Sequence, residues 1–350
     1  MAVVKETIKK WKSMPKVELH CHLEGSVQLN TILEEYARLK IPIPYDSENE
    51  NREYFTVEKP VKSLMDFLDK FSRSQKVFSD RLGIQRVAEE LVLSKFHDGV
   101  KLLEVRYSPC YIQRQNNLSL EEIHEAILAG LECGKQKCDG EIEIGLICIG
   151  EAGISEKDLR IAAEFAIKYK EDFVGFDNAG PEINLAQYKC IYDQLHNEGI
   201  KITIHAAEDL YTGAAENVLD AVQHLHATRI GHGIQIVRDS EILEKIVEER
   251  ILLEISPTSN FLTGSVSSIH EHPVRKLYER GVRISINTDD PGMFNCSLSG
   301  EYELMSKCLQ FSSADFLTMN TWALEASFLN DQVKQRLKEK YFNPTNSEYC

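Results

Sequence analysis

The sequence predicts an α/β fold, a (β/α)8 barrel with a helical lid inserted after the first strand, and three observations carry that prediction. Eight short runs are dense in Val, Ile and Leu, as strands buried on both faces are. Amphipathic helical patterns alternate with them, the rhythm of a parallel sheet covered by helices. The length, 350 residues, suits one such barrel, expected as a single domain over 1–350.

In chain order the strands are KVELHCH (16–22), KLLEVRYSP (101–109), EIEIGLICIG (141–150), DFVGFDNAG (172–180), IKITIHAAE (200–208), TRIGHG (228–233), ILLEISPTS (251–259) and VRISINTDDP (282–291). Apolar residues recur at helical spacing in EEIHEAILAGLECGKQ (121–136) and AENVLDAVQHLHA (215–227). The first crossover is the longest. Its polar piece YDSENENREYF (45–55) reads as a solvated, mobile excursion. Beyond it, SLMDFLDKF (63–71) puts Leu64, Phe67, Leu68 and Phe71 on one helical face, for core packing or for a lid over a site. The last residues, FNPTNSEYC, read as a frayed tail.

Hydrophobic residues make up 43% and charged residues 27%, enough for a substantial core. Net charge is −15 with no Lys/Arg-rich block, which argues against nucleic acid and against anionic membrane surfaces as partners. No run is apolar enough for a secretory signal or long enough to span a bilayer. Nine irregularly spaced cysteines do not form a disulfide framework and read as reduced thiols of a cytoplasmic enzyme. Cys133 and Cys138 lack a matching second pair, so they read as plain thiols.

In a barrel of this kind catalytic groups project from the C-terminal ends of the strands. Strand 1 ends in His20 and His22, which share a face because strand side chains alternate. Strand 5 ends in His205, strand 6 in His232, and strand 8 in Asp289 and Asp290, while Glu208 follows His205 by three residues. Three neutral imidazoles and a carboxylate suit a divalent first-row metal, so His20, His22, His205 and Asp289 are assigned as ligands, with Zn2+ the leading choice. His232, between Gly231 and Gly233, can orient a metal-activated water or accept its proton, and Glu208, if buried, can keep a proton to donate. His270 and His272 in SIHEHP repeat the HxH spacing but read as solvent-exposed loop residues, and His224 and His226 as structural.

With VELHCHLEGS, HAAED, RIGHG and NTDDPGMF in that order, the chain resembles the adenosine deaminases of the amidohydrolase-type barrel family. The resemblance runs from PKVELHCH to the helix ADFLTMNTWALEASF (314–328). It implies a zinc-dependent deaminase of adenosine and 2′-deoxyadenosine, with a purine nucleoside as the small-molecule partner, acting as a monomer. In such an enzyme Glu208 protonates purine N1, while His232 and Asp289 orient the attacking water. Asp290 contacts N7, the Gly180 N–H contacts N3, His22 faces the substrate as well as the metal, and Leu64, Phe67, Leu68 and Phe71 cover the nucleoside. The family usually has Asp in place of Glu24, a carboxylate that reaches the ribose 5′-hydroxyl, and Gly in place of Ala207, whose methyl is expected near the purine plane. FVGFD (173–177) resembles malarial-parasite members, which implies that Asp177 touches ribose hydroxyls. Sister activities on N6-methyl-AMP or 5′-methylthioadenosine, and a non-catalytic growth-factor-like relative, are the alternatives. The other zinc deaminase class is set aside because no P-C-x-x-C follows HEH at 270–272.

Overall fold

A computed structural model describes residues 9–342, except residue 63 and the side chains of residues 64 and 65. The Leu64 side chain and all but the first residue of the expected tail therefore lie outside the described residues. Among the described residues eight strands form one sheet in sequential order: β1 (Lys16–His22), β2 (Val100–Tyr107), β3 (Glu143–Gly150), β4 (Gly175–Asn178), β5 (Lys201–Ala206), β6 (Ala227–His232), β7 (Leu252–Ile255) and β8 (Arg283–Ile286). Every neighbouring pair is parallel. β1 meets the segment after β8 through two backbone bonds, His22 N to Asp289 O at 2.8 Å and Asp289 N to His20 O at 3.1 Å. The same two bonds that bring the sheet's ends together thus set three expected metal ligands side by side.

Between strands the chain returns through helices with readable starts. The helix Leu120–Lys137 opens on a capping box, the Ser119 hydroxyl and the Glu122 carboxylate each satisfying a backbone N–H of the other residue. Asp80, Ser155 and Asp239 cap Arg81–His97, Glu156–Lys168 and Ser240–Glu248. β7 stops earlier than its apolar run because Pro257 starts a short helix, Pro257–Leu262, at its first turn. None of the helices is long and apolar enough to cross a membrane, among the described residues.

The segment 45–55 corrects its sequence reading. It carries a helix, Glu48–Phe55, whose start is capped by the Ser47 hydroxyl. Asn51 and Phe55, four residues apart, turn inward, and the Phe55 ring meets Tyr36 edge-on at 5.3 Å. One buried face suffices to hold a stretch whose composition is otherwise that of a solvated loop. The next helix, Leu64–Ser74, leans on it: Lys70 Nζ donates to the Glu53 and Thr56 carbonyls at 2.5 and 2.8 Å. Phe67 is buried with Val57, Leu262, Met293 and Phe294 in a small apolar cluster at the strand ends, apart from the main core. A further cluster ties Val17, Leu19, Leu102 and Leu252 to Leu324, Leu329, Leu337 and Phe342 of the C-terminal helices.

Candidate active site

Three imidazoles and one carboxylate converge at the seam of the barrel. His22 Nε2 lies 3.3 Å from both His20 Nε2 and His205 Nε2, and 3.2 Å from Asp289 Oδ1. Asp289 Oδ1 is also 3.2 Å from His20 Nε2. A tetrahedral cation with ligands at about 2.0–2.1 Å holds its donors about 3.3–3.4 Å apart, so the spacing is that of four ligands round one ion. Lone pairs aimed at one another repel unless a cation lies between them. The pairing register of β1 slips between Glu18 and Cys21, an irregularity that re-aims His20 into the cluster. Gly231 of β6 leaves the room it needs, since a Cβ there would stand 3.0 Å from His20 Cε1.

Beneath these donors lies a buried charge network. His20 Nδ1 donates to Glu254 Oε2 at 2.8 Å, and His205 Nδ1 donates to Asp177 Oδ1 at 3.1 Å. Each carboxylate takes the Nδ1 proton and so points the Nε2 lone pair at the metal position, the usual outer support of a histidine ligand. Arg106 joins the two carboxylates, 2.7 Å from Asp177 Oδ2 and 2.7 Å from Glu254 Oε2. Arg229 continues the chain, 2.7 Å from Glu254 Oε1 and 2.6 Å from Glu104 Oε2. Burial alone raises the pKa of Asp177, but His205 and Arg106 outweigh it and hold the group at about 2. Burial lowers His22, which favours the neutral, ligating form.

Above the donors opens a cavity of roughly 180 Å³ whose lining includes His22, Glu24, Phe67, Leu68, Phe71, Tyr111, Gly180, Glu208, His232, Thr263 and Asp290. Glu208 Oε2 stands 3.4 Å from His232 Nε2, and His232 Nε2 stands 3.8 Å from Asp289 Oδ2. His232 belongs to the same cluster of possible ligands as His20, His205 and Asp289, but its longer distance to Asp289 and its contact with Glu208 set it on the substrate side. Burial raises the pKa of Glu208 well above the ordinary range, and Asp289, Asp209, Glu182 and Asp290 raise it further. Asp290 is raised likewise by burial, then by Asp289 and Glu24. Burial and neighbouring carboxylates thus favour the protonated form of both groups.

A sequence profile described as adenosine deaminase matches residues 15–343. The chain belongs to the adenosine deaminase family. Its activity is accordingly that of a hydrolase acting on carbon–nitrogen bonds, the deamination of adenosine. The adenosine deaminase of Plasmodium gallinaceum is 43% identical over 338 residues, covering 97% of this chain and 93% of the relative. Among solved structures, an adenine deaminase from Arthrobacter aurescens superposes with a TM-score of 0.87 at 23% identity over 95% of this chain and 100% of that one, a likeness of fold. An N6-methyl-AMP deaminase from Arabidopsis thaliana gives 0.81 at 25% identity, over 97% and 99%.

The residues expected to face a substrate divide according to whether they reach the cavity. His22, Glu24, Gly180, Asp290, Phe67, Leu68 and Phe71 all line the cavity. Gly25 keeps Asp290 there, because a Cβ at that position would lie 1.8 Å from Asp290 Oδ1. Asp177 is a correction: it is fully buried behind His205 and held by Arg106, with no face on the cavity, so it cannot touch ribose. Asp177→Asn is expected to weaken metal affinity by about 10–100-fold and to leave the KM of the metal-loaded enzyme unchanged, read by metal titration alongside kinetics. A contact with ribose predicts the reverse pattern. Ala207 is also off the cavity wall, and its difference from Gly is felt in the backbone, which is left-handed at φ 53°.

His272 corrects the reading of HEH as an exposed loop. It is 3% exposed, and burial lowers its pKa to about 3. Its Nε2 lies 3.1 Å from Asn260 Oδ1, and Asn260 Nδ2 lies 3.0 Å from His232 Nδ1. Asn260 was not picked out from the sequence, although it sits five residues past β7, where a strand-end search looks. Glu182 was missed as well. Its carboxylate accepts from the backbone N–H groups of Ala207, Glu208 and Asp209 at 2.8, 2.8 and 3.1 Å, and so holds the turn that carries Glu208. His226, expected within a helix, lies two residues beyond Ala214–His224 and pairs with Asp193 at 2.8 Å.

Proposed function

We propose that the protein deaminates adenosine and 2′-deoxyadenosine in preference to 5′-nucleotides, giving the 6-oxopurine nucleosides and ammonia, with zinc held by His20, His22, His205 and Asp289. The observation that carries the preference is the lack of a basic group on the cavity wall among the described residues. Six carboxyl groups line it, those of Glu24, Glu151, Glu208, Asp209, Asp289 and Asp290, and no lysine or arginine does among the described residues. A 5′-phosphate entering there loses water and finds no lysine or arginine to pair it, a cost of several kcal/mol in specificity terms.

An N3O donor set of this kind suits zinc, which supplies the acidity that makes water a nucleophile near neutral pH. The protein's own groups do the rest. Glu208, kept protonated by burial and its acidic neighbours, donates to purine N1. That proton draws electron density from C6, where the oxygen of water adds; of the water's two protons one leaves with the amino group as ammonia and the other returns to the Glu208 carboxylate, whose own proton stays on N1. His232 and Asp289 orient the water. Asp290 holds a proton that purine N7 accepts, and its Oδ1 is buried without a partner of its own. Glu24 takes the Ser108 N–H at 2.7 Å through Oε1 and leaves Oε2 without a partner. Burial pushes Glu24 up to about 8, which suits a hydroxyl and not a phosphate at the ribose 5′ position. Phe67, stacked on Phe294 at 5.7 Å, and Phe71, 5.7 Å from Tyr111, roof the sugar end and exclude water. The eight free cysteines among the described residues support a cytoplasmic setting.

The test is ammonia release from adenosine, deoxyadenosine, AMP and N6-methyl-AMP at equal enzyme. Adenosine is expected to exceed both nucleotides in kcat/KM by at least about 100-fold, as an unpaired buried phosphate dictates. Comparable values would place the sister activity first.

A further inference from the structure

We propose that Asn260 and His272 are positioning residues that fix the tautomer of His232, so that its Nε2 presents an N–H, and not a lone pair, to the reacting centre. The inference rests on the deaminase reading of the site and concerns how one of its groups takes part.

A backbone amide can only donate, and one such amide sets the direction of a whole relay. Val274 N donates to His272 Nδ1 at 3.1 Å, so Nδ1 carries a lone pair. A neutral imidazole has one N–H, which must then be on His272 Nε2. Burial keeps His272 neutral, with a pKa pushed down to about 3. Its Nε2–H therefore donates to Asn260 across 3.1 Å and requires the oxygen of the amide there. That choice turns the amide nitrogen to His232, and Nδ2 donates to His232 Nδ1 across 3.0 Å. His232 Nδ1 is consequently the acceptor, and the ring hydrogen sits on Nε2. Asn260, at 0% exposure, and His232, at 1%, are shut off from bulk solvent.

The consequence bears on chemistry. Nε2 is the atom that faces the cavity, 3.4 Å from Glu208 Oε2. As an N–H it donates a hydrogen bond to the oxygen that attacks C6 and to the negative charge that grows there, a preorganised donor of the oxyanion-hole type. It has no lone pair with which to take the water's proton. From the sequence both roles were open to this imidazole, orienting the water or accepting its proton, and the relay selects the first.

The tautomer can be read in zinc-loaded protein with ¹⁵N-labelled histidines at neutral pH. The expected spectrum shows the hydrogen of the His232 ring on Nε2 and the free lone pair on Nδ1. Asn260→Asp keeps the shape but can only accept, so it draws the ring hydrogen to Nδ1 and turns the Nε2 lone pair to the cavity. The expected result is a kcat for adenosine lower by at least about 100-fold, with KM within about threefold and one zinc per chain retained. A wild-type spectrum with the lone pair on Nε2 overturns the inference, and so does an Asn260→Asp enzyme of equal or higher kcat. The spectrum needs neither a substitution nor turnover, so it decides the tautomer even if the variant fails to fold or adenosine is not the substrate.

Discussion

Glu208→Gln is expected to lower kcat for adenosine by about 10²–10⁴-fold while zinc stays bound. The substitution keeps the size of the side chain and removes the one proton that the mechanism needs. Glu208 is not among the donors that converge on the metal position, so metal content is unaffected. The pH profile follows from the direction of its shift. Burial and the carboxylates of Asp289, Asp209, Glu182 and Asp290 all favour the protonated form. The active form is thus the acid, and kcat/KM falls as pH rises through the Glu208 pKa. Full kcat in the Glu208→Gln enzyme would mean that another group protonates the purine.

The second large effect is on stability. Glu254→Gln is expected to cost about 3–5 kcal/mol, because the carboxylate is the junction of the buried network under the metal. Its Oε2 takes His20 Nδ1 and Arg106, and its Oε1 takes the Thr203 hydroxyl at 3.0 Å and Arg229. Removing one charge leaves two buried guanidinium groups sharing only Asp177 and Glu104. In thermal melts of metal-free protein this appears as a fall in Tm of about 5–10 °C. Burial alone raises the pKa of Glu254, but Arg106, Arg229 and His20 overcome it and hold it well below the ordinary range. A carboxyl with a depressed folded pKa stabilises above its unfolded value, about 4.3, and loses that contribution as pH falls through the folded value. The gap in Tm between wild type and Glu254→Gln is therefore full near neutral pH and narrows in acid. An unchanged gap at low pH would mean that the network owes nothing to the charge of Glu254.

The barrel and its metal donors were legible because both obey short-range rules. Strand periodicity puts His20 and His22 on one face, and strand-end placement gathers His205, His232 and Asp289, whatever their distance along the chain. What stayed hidden depends on contacts that no local pattern records. His272 lies in a Gly/Ser-rich stretch beside a proline, the composition of an exposed loop, and is buried only because Asn260 and the Val274 N–H need its two ring nitrogens. Asp177 lies within a strand-like run that says nothing of Arg106, 71 residues earlier in the chain, whose guanidinium holds its carboxylate away from the cavity. Glu182 acts on a turn 25 to 27 residues later. The helix Glu48–Phe55 has one buried face of two residues, too little apolar signal to outweigh its charges.

The most direct test of the metal-centred account is a zinc titration of metal-stripped protein, followed by ammonia release from adenosine. Activity should be absent at the start, rise in proportion to added zinc and level off at one equivalent per chain. Full turnover by protein that holds no divalent ion would contradict it.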